Sequence, residues 1–256
     1  MNSIVLALAL LAGQIPGTFA LQSGTPSTTA SLRVSPLGGD RVRLDFAVRR
    51  GAGVVRAFDV DMTQVMHVVV VADDFTTFAH LHPHALANGH LVVDATAPPG
   101  GYHVYADSRP HGSGQQVFRF DVGDDKPRVL APTPSSVSAG PYVVRISTLR
   151  LRAGRESELG LTITRNGRPA SDLQTYLGAA GHAIFLNAGD LTYAHVHPSL
   201  AGAVVMDGMD MESGPAQAGP RLTLHANVRE AGTYKLWFEF RGGGRLYVAP
   251  FVVVAS

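Results

Sequence analysis

Short apolar runs alternate with turn residues along almost the whole chain. Examples in the first half are RVRLDFAVR, QVMHVVVVA, HLVVDAT and QVFRFDV, and similar runs follow in the second half. The chain has 28 glycines and 16 prolines, many of them between these runs. No long segment has the 3.6-residue period of an amphipathic helix. The pattern predicts an all-β protein built from β-sandwich domains of immunoglobulin-like or cupredoxin-like type.

One histidine pattern occurs twice. A histidine is followed after twelve residues by His-x-His-Pro, and the same arrangement returns 115 positions later. Apolar residues between the histidines differ between the copies, whereas the histidines are the same. The two sets are His67, His80 and His82, and His182, His195 and His197.

The repeat continues downstream and divides the chain into two domains. GGYHVYADSRP matches TYKLWFEFR at an offset of 132 positions, so the second copy has 17 additional residues, among them MDGMDMESGPAQAG. GDDKPRVLAPTPSSVSAG is rich in proline, serine and charge, as linkers are. We therefore predict a first sandwich repeat at residues 29–122, a linker at 123–140 and a second repeat at 141–256.

The first 20 residues, MNSIVLALALLAGQIPGTFA, are typical of a secretory signal peptide. An apolar block is followed by small residues, and cleavage is expected near Ala20. The alternative is a retained N-terminal anchor, but the apolar block is shorter than the roughly 20 residues that span a bilayer. We expect an extracytoplasmic protein, either secreted, periplasmic or in the cell envelope, with no transmembrane span in the mature chain.

Charge and cysteine content exclude two classes of function. The net charge is +1 and no basic cluster is interleaved with aromatic residues, so the chain has no pattern expected of a nucleic-acid partner. With no cysteine, it forms no disulfide and offers no thiolate ligand. Blue-copper electron transfer, which requires a cysteine sulfur, is excluded.

Hairpin geometry predicts that each histidine set converges. Gly189-Asp190 suits a two-residue turn, and pairing Ala188 with Leu191 would place His182 opposite His197. The corresponding pairing of Asp73 with Thr76 would place His67 opposite His82. The two histidines of His-x-His share a face about 7 Å apart, and cross-strand Cβ atoms are about 5 Å apart. Three imidazoles in such a triangle can bind one transition-metal ion.

The residues nearby bear on which metal would bind. Three neutral imidazoles suit Zn(II), Cu(II) or Ni(II), and thioethers favour Cu(I). Met62 and Met66 precede His67, although both suit an ordinary core as well. We therefore expect copper, with zinc as the alternative. Weaker candidate ligands are His84, which follows the first His-x-His-Pro, and the three methionines of the additional segment, Met206, Met209 and Met211.

Two other readings of the histidines stay open. In the first, they are half-buried strand residues that bond to backbone carbonyls, in an immunoglobulin-like interaction or scaffolding module without metal. A metallo-enzyme would activate water at an open fourth position. That function has less support. The residues after His82, Pro83-His84-Ala85-Leu86, contain no carboxylate partner such as the Glu that a cupin places a few residues beyond its His-x-His, and no general acid or substrate cleft is identified.

The second half resembles a family of exported bacterial proteins. The matching motifs are YLG-x-x-GH, a GDL turn, HVHP and a final GTY-x-[LV]-[FW] strand, seen here in TYLGAAGHAIFLNAGDLTYAHVHP and AGTYKLWFEF. Most members are described as hypothetical secreted or heavy-metal-related proteins. The resemblance implies an immunoglobulin-like β-sandwich outside the cytoplasm and no established activity. It covers Asp172 to Val254 well and the first domain more loosely, because VDMTQVMH replaces the YLG-x-x-GH start.

The sequence thus predicts an exported tandem β-sandwich protein, not an enzyme, with a three-histidine metal site in each domain. Its expected role is copper sequestration, delivery or sensing, with the metal ion and another extracytoplasmic protein as partners. Since metal binding requires neutral imidazoles, release is expected as the pH falls below the ordinary histidine pKa of about 6.5.

Overall fold

The structure, a computed structural model, describes residues 14–21, 24–123, 128–202 and 218–256. The chain divides into two compact units, Met1–Pro127 and Arg128–Ser256. Every regular element in these described ranges is a β-strand, and the same ranges contain no helix long and apolar enough to cross a membrane. The predicted all-β fold with two tandem sandwich domains is confirmed.

The first domain consists of two six-stranded sheets. One has the order β1-β3-β4-β10-β9 with β5 beside β4, and the other has the order β2-β12-β11-β7-β8 with β6 beside β11. The strands are β1 Ile15–Pro16, β2 Thr18–Phe19, β3 Thr29–Gly38, β4 Arg41–Arg50, β5 Gly53–Val54, β6 Phe58–Asp59, β7 Met66–Ala72, β8 Phe78–Leu81, β9 His84–Ala85, β10 Leu91–Thr96, β11 Tyr102–Pro110 and β12 Gln116–Val122.

The second domain repeats this topology. Its sheets have the orders β13-β14-β16-β22-β21, with β17 beside β16, and β15-β24-β23-β19-β20, with β18 beside β23. The strands are β13 Ser136–Ala139, β14 Tyr142–Ile146, β15 Arg150–Leu151, β16 Arg155–Arg165, β17 Arg168–Pro169, β18 Leu173–Gln174, β19 His182–Asn187, β20 Tyr193–Val196, β21 Ser199–Leu200, β22 Arg221–Val228, β23 Gly232–Gly242 and β24 Arg245–Ala255.

The sequence of strand β7 lacks the alternation of apolar and polar residues that is typical of a strand with one exposed face. Met66, Val68 and Val70 belong to the core between the two sheets of the first domain. His67 and Val69, which point to the opposite face, are also buried. A strand buried on both faces has no polar side to alternate with. Strand β19 follows the same rule, and so the first histidine of each set lies on the sheet face directed away from the sandwich core.

The segment predicted as the end of the signal peptide forms strands of the first domain. Ile15 pairs with Leu32 in one sheet, and Phe19 pairs with Phe118 in the other. Gly17 lies at the crossing, where a Cβ atom would be 2.8 Å from a ring carbon of Phe120. Strands β1 and β2 thus occupy the sheet positions that β13 and β15 occupy in the second domain. Cleavage near Ala20 stays a prediction, and it would remove both strands.

The predicted linker, 123–140, also overlaps a strand. Ser136–Ala139 forms a hairpin with Tyr142–Ile146, with Ala139 paired to Tyr142. The second sandwich therefore begins at least five residues before the predicted start at 141. The prolines that led this stretch to resemble a linker, Pro127, Pro132 and Pro134, all precede the strand.

Candidate metal centre

The two histidine hairpins have the register that the sequence predicts. Strands β7 and β8 pair Val68 with Leu81, and β19 and β20 pair Ala183 with Val196. Extended by one residue, these ladders place His67 opposite His82 and His182 opposite His197. A slip of one residue would have moved the first histidine of each set to the other face.

The connecting turn is larger than predicted. Asn187 donates its N–H to the carbonyl oxygen of Thr192 at 3.0 Å, which leaves four loop residues rather than two. Leu191 has a φ of 62° and donates to the carbonyl oxygen of Asn187. The predicted pairing of Ala188 with Leu191 across a two-residue turn is therefore wrong, although the wider loop preserves the register.

Each set of three imidazoles forms a compact triangle, and the two triangles are nearly the same. In the first domain the ring centroids of His67 and His80 are 5.2 Å apart, those of His67 and His82 5.0 Å, and those of His80 and His82 4.6 Å. The corresponding distances in the second domain, among His182, His195 and His197, are 5.4, 4.8 and 4.6 Å.

Ring nitrogens approach one another inside each triangle. His67 Nδ1 lies 3.1 Å from His80 Nε2, and His182 Nδ1 lies 3.2 Å from His195 Nε2. Two nitrogens at this separation subtend an angle of about 100° at an ion bonded to both at 2.0–2.1 Å, which is close to tetrahedral. These histidine groups could therefore hold a metal ion.

A backbone carbonyl fixes the tautomer of the first histidine in each set. His67 Nε2 lies 3.0 Å from the carbonyl oxygen of Asp61, and His182 Nε2 lies 3.1 Å from that of Tyr176. Because a carbonyl oxygen only accepts, Nε2 must carry the proton, and Nδ1 presents a lone pair to the neighbouring imidazole. A hydrogen bond of this kind fixes the orientation of a histidine ring whose other nitrogen binds a metal ion.

The turn that presents this carbonyl is also repeated. Asp61 is bridged to Gln64, and Tyr176 to Ala179, by reciprocal backbone hydrogen bonds of 2.8–3.1 Å. The residues after Asp61 and Tyr176, Met62 and Leu177, have positive φ angles of 44° and 52°. Both copies therefore retain the support of the first histidine as well as the imidazoles.

Burial favours the neutral form of two imidazoles of the first domain. It lowers the pKa of His67, together with the neighbouring His80, to about 4, against the opposing effect of the Asp61 carbonyl. It also lowers the pKa of His82 to about 3, with His80 and His67 contributing in the same direction. Neutral imidazoles are the form that binds metal, so no proton has to leave these two rings at neutral pH.

A buried carboxylate lies on the neighbouring strand, directly opposite the first histidine of each set. Asp107 on β11 pairs with His67, and Glu239 on β23 pairs with His182. Their exposed fractions are 4% and 5%. Gln115 Nε2 donates to both carboxylate oxygens of Asp107 at 2.9 Å.

The expectation that the sites lack a carboxylate is therefore wrong. The acids lie on a neighbouring strand rather than along the histidine strands. The sequence did carry a signal, because the 132-position offset that matches Tyr102 with Tyr234 also matches Asp107 with Glu239. Burial raises the pKa of Asp107 to about 7; the Gln115 hydrogen bond lowers it, Asp61 raises it and Arg109 lowers it.

The glycine that precedes His182 has a packing reason. A Cβ atom on Gly181 would lie 2.7 Å from a ring carbon of Phe238 and 2.8 Å from the carbonyl oxygen of Glu239. In the first domain Ala106 stands at the position of Phe238, which leaves room for the side chain of Met66. In the first copy Met66 thus replaces this glycine, and the smaller Ala106 on the neighbouring strand replaces the phenylalanine.

The described part of the chain contains one of the weaker ligand candidates, His84, and it does not join a triangle. His84 lies on β9, pairs with Val92 in the other sheet and is exposed. Met66 packs in the sandwich core, and Met62 is buried. Met206, Met209 and Met211 lie outside the described residues.

Four histidines without counterparts in the other copy pair with carboxylates instead. Three of them are at least partly exposed, whereas His103 is buried. The Nδ1-to-carboxylate distances are 2.6 Å for His90–Asp45, 2.7 Å for His103–Asp121, 2.7 Å for His111–Asp59 and 3.1 Å for His225–Glu156. These pairs give the four rings a role without metal.

Comparison with known proteins identifies a family but no activity. No curated protein matches the chain. Among solved structures, a crystal structure of a Salmonella alpha-2-macroglobulin mutant matches at 14% identity and a TM-score of 0.25, over 92% of this chain and 16% of that one. A family model described as a domain of unknown function, DUF8832, matches residues 25–124 and again 136–256. The chain therefore belongs to this family and contains two copies of its domain.

Proposed function

We propose that the protein is an extracytoplasmic transition-metal-binding protein with one three-histidine site in each domain. Its role would be the sequestration, delivery or sensing of the metal. The observation that carries the proposal is the recurrence of the same triangle, with ring centroids 4.6–5.2 Å apart in one domain and 4.6–5.4 Å in the other.

A purely structural role would not require this arrangement. A histidine that only packs or bonds to a backbone carbonyl needs one partner, and three separate rings need not converge. Bringing three imidazoles together at a largely buried position has a cost, since each ring that gains a proton repels the others. A metal ion removes that cost because it binds the neutral rings and occupies the space to which their nitrogens point.

Copper is the metal we propose, with zinc as the alternative. Imidazole ligands suit Cu(II) and Zn(II) alike, and the chain has no thiolate to distinguish them. The preference for copper rests on the methionine-rich segment at 206–211, which would supply thioethers. A delivery role would require a second extracytoplasmic protein that donates or accepts the ion.

The experiment is a calorimetric titration of the metal-free full chain with Zn(II), with Cu(II) and, under a reductant, with Cu(I). We expect two ions per chain. His195→Ala combined with His197→Ala should remove one and leave the other. His225→Ala is the matched control in the same domain, because its ring pairs with Glu156, and it should leave both sites intact.

Two results would contradict the proposal. One is the absence of binding to the metal-free chain, which would favour an interaction module whose histidines only pack. The other is binding that persists unchanged in the double variant, which would place the ion elsewhere. Circular dichroism of each variant separates loss of ligands from loss of fold.

A further inference from the structure

The two buried acids are tied to the histidine triangles by sheet register. Directly opposed residues of an antiparallel pair point to the same face, with Cβ atoms about 5 Å apart. Asp107 therefore shares a face with His67, and Glu239 shares a face with His182. Both copies keep an acid at this position, although its length differs.

A buried carboxylate is costly unless positive charge lies near it. Asp107 receives two hydrogen bonds from one neutral amide, that of Gln115. The nearby guanidinium of Arg109 is half exposed and lies 3.6 Å from Asp61. Asp107, Asp61 and Arg109 thus lie together on this side of the triangle.

The second domain has a related arrangement. Arg241 stands two residues after Glu239, as Arg109 stands two residues after Asp107. Tyr176, whose carbonyl binds His182, senses both charges: burial raises the pKa of its phenol, Glu239 raises it and Arg241 lowers it. The phenol of Tyr176 therefore lies within electrostatic range of Glu239 and Arg241.

We propose, on the basis of the proposed function, that Asp107 and Glu239 are outer-sphere carboxylates that balance the charge of the bound ion and make each site favour divalent over monovalent cations. Three neutral imidazoles contribute no charge of their own. A carboxylate a few ångströms beyond them attracts a divalent ion twice as strongly as a monovalent one, because Coulomb energy is proportional to ionic charge.

The test measures Asp107→Asn in a chain whose second site is removed by His195→Ala and His197→Ala. Loss of an outer-sphere partner reduces metal affinity by about 10–100-fold, and we expect this loss for Zn(II) and Cu(II). For Cu(I) the expected loss is the square root of that factor, about 3–10-fold. Asp94→Asn is the control, since this surface carboxylate is bonded to Arg43, and it should change neither affinity.

Two further variants keep the test decisive. Asp107→Glu retains the charge and reproduces the residue of the other copy, so it should retain most of the affinity for divalent ions. Glu239→Gln, tested in a chain lacking the first site through His80→Ala and His82→Ala, should repeat the divalent effect in the second domain.

Each outcome supports or overturns the proposal. Equal losses for Zn(II) and Cu(I) would mean that the acid only maintains the shape of the site, and unchanged affinities would mean that it has no role; both overturn the proposal. If the chain with intact histidines binds no metal, the proposed function itself fails, which is distinguishable because no acid variant is needed to see it.

Discussion

Metal binding at the first-domain site should be unusually resistant to acid. With the ordinary histidine pKa of about 6.5, each imidazole at pH 5 would be protonated about 30 times more often than neutral, so two ligands would weaken binding about 1,000-fold. Burial lowers the pKa of His67 to about 4 and that of His82 to about 3. Proton competition at these two rings then weakens binding only about 1.1-fold at pH 5.

The measurement uses the chain with His195→Ala, His197→Ala and Asp107→Asn, so that one site remains and the buried acid, whose pKa is raised to about 7, adds no pH dependence of its own. Zn(II) affinity is determined from pH 7 to pH 3 by competition with a chelator whose own protonation is known. We expect less than about a 100-fold decrease between pH 7 and pH 5, with His67 and His82 contributing little until the pH approaches 4. A decrease of more than about 1,000-fold over that interval would refute the pKa argument.

The same pKa shifts affect the stability of the metal-free chain, and the sign follows from proton uptake. Below pH 6.5 the unfolded chain protonates both histidines, whereas the folded chain does so only near pH 4 and pH 3. The unfolded state therefore binds more protons in this interval, and the free energy of unfolding decreases as the pH falls. A circular dichroism spectrum at each pH confirms that the affinity is measured on folded protein.

Two further predictions concern glycines. Gly181→Ala should destabilise the second domain by about 1–3 kcal/mol in urea unfolding, because its Cβ atom would overlap Phe238. The control is Gly160→Ala, whose Cβ atom would lie 3.5 Å from its nearest neighbour and should change the stability little. Equal effects of the two substitutions would exclude this packing explanation. Mass spectrometry of the exported chain distinguishes cleavage near Ala20 from cleavage before Ile15, and in a chain that retains Gly17, Gly17→Val should destabilise the first domain by a similar amount. A mature chain that starts after Ala20 and unfolds at the same urea concentration as the longer form would show that β1 and β2 are dispensable.

The fold and the imidazole triangles could be predicted because both depend on local spacing. Alternation and turn residues locate strands, and equal spacing from His67 to His82 and from His182 to His197 fixes the same register in both hairpins. The loop size could not be predicted in the same way. A two-residue turn and the observed four-residue loop have the same midpoint, and the ladder beyond them is therefore unchanged.

The N-terminal strands could not be recognised because their composition serves two purposes. An apolar block followed by small residues is typical of a signal peptide, and Ile15-Pro16-Gly17-Thr18-Phe19 is equally suitable for two short edge strands. The strands are defined by their pairings and by the contacts of Gly17 with Phe118 and Phe120, and the contacts with β12 join residues about a hundred positions apart.

The backbone carbonyl that bonds the first histidine of each set could not be predicted from the side chains at all. Asp61 and Tyr176 occupy equivalent positions and share no side-chain chemistry, yet each presents a carbonyl oxygen to a histidine Nε2 at 3.0–3.1 Å. Because the contact uses a backbone atom, selection acts on the turn that aims the carbonyl and not on the side chain that accompanies it. What both copies preserve here is therefore a pair of positive φ angles after the carbonyl, at Met62 and Thr63 and at Leu177 and Gly178, which no comparison of side chains would reveal.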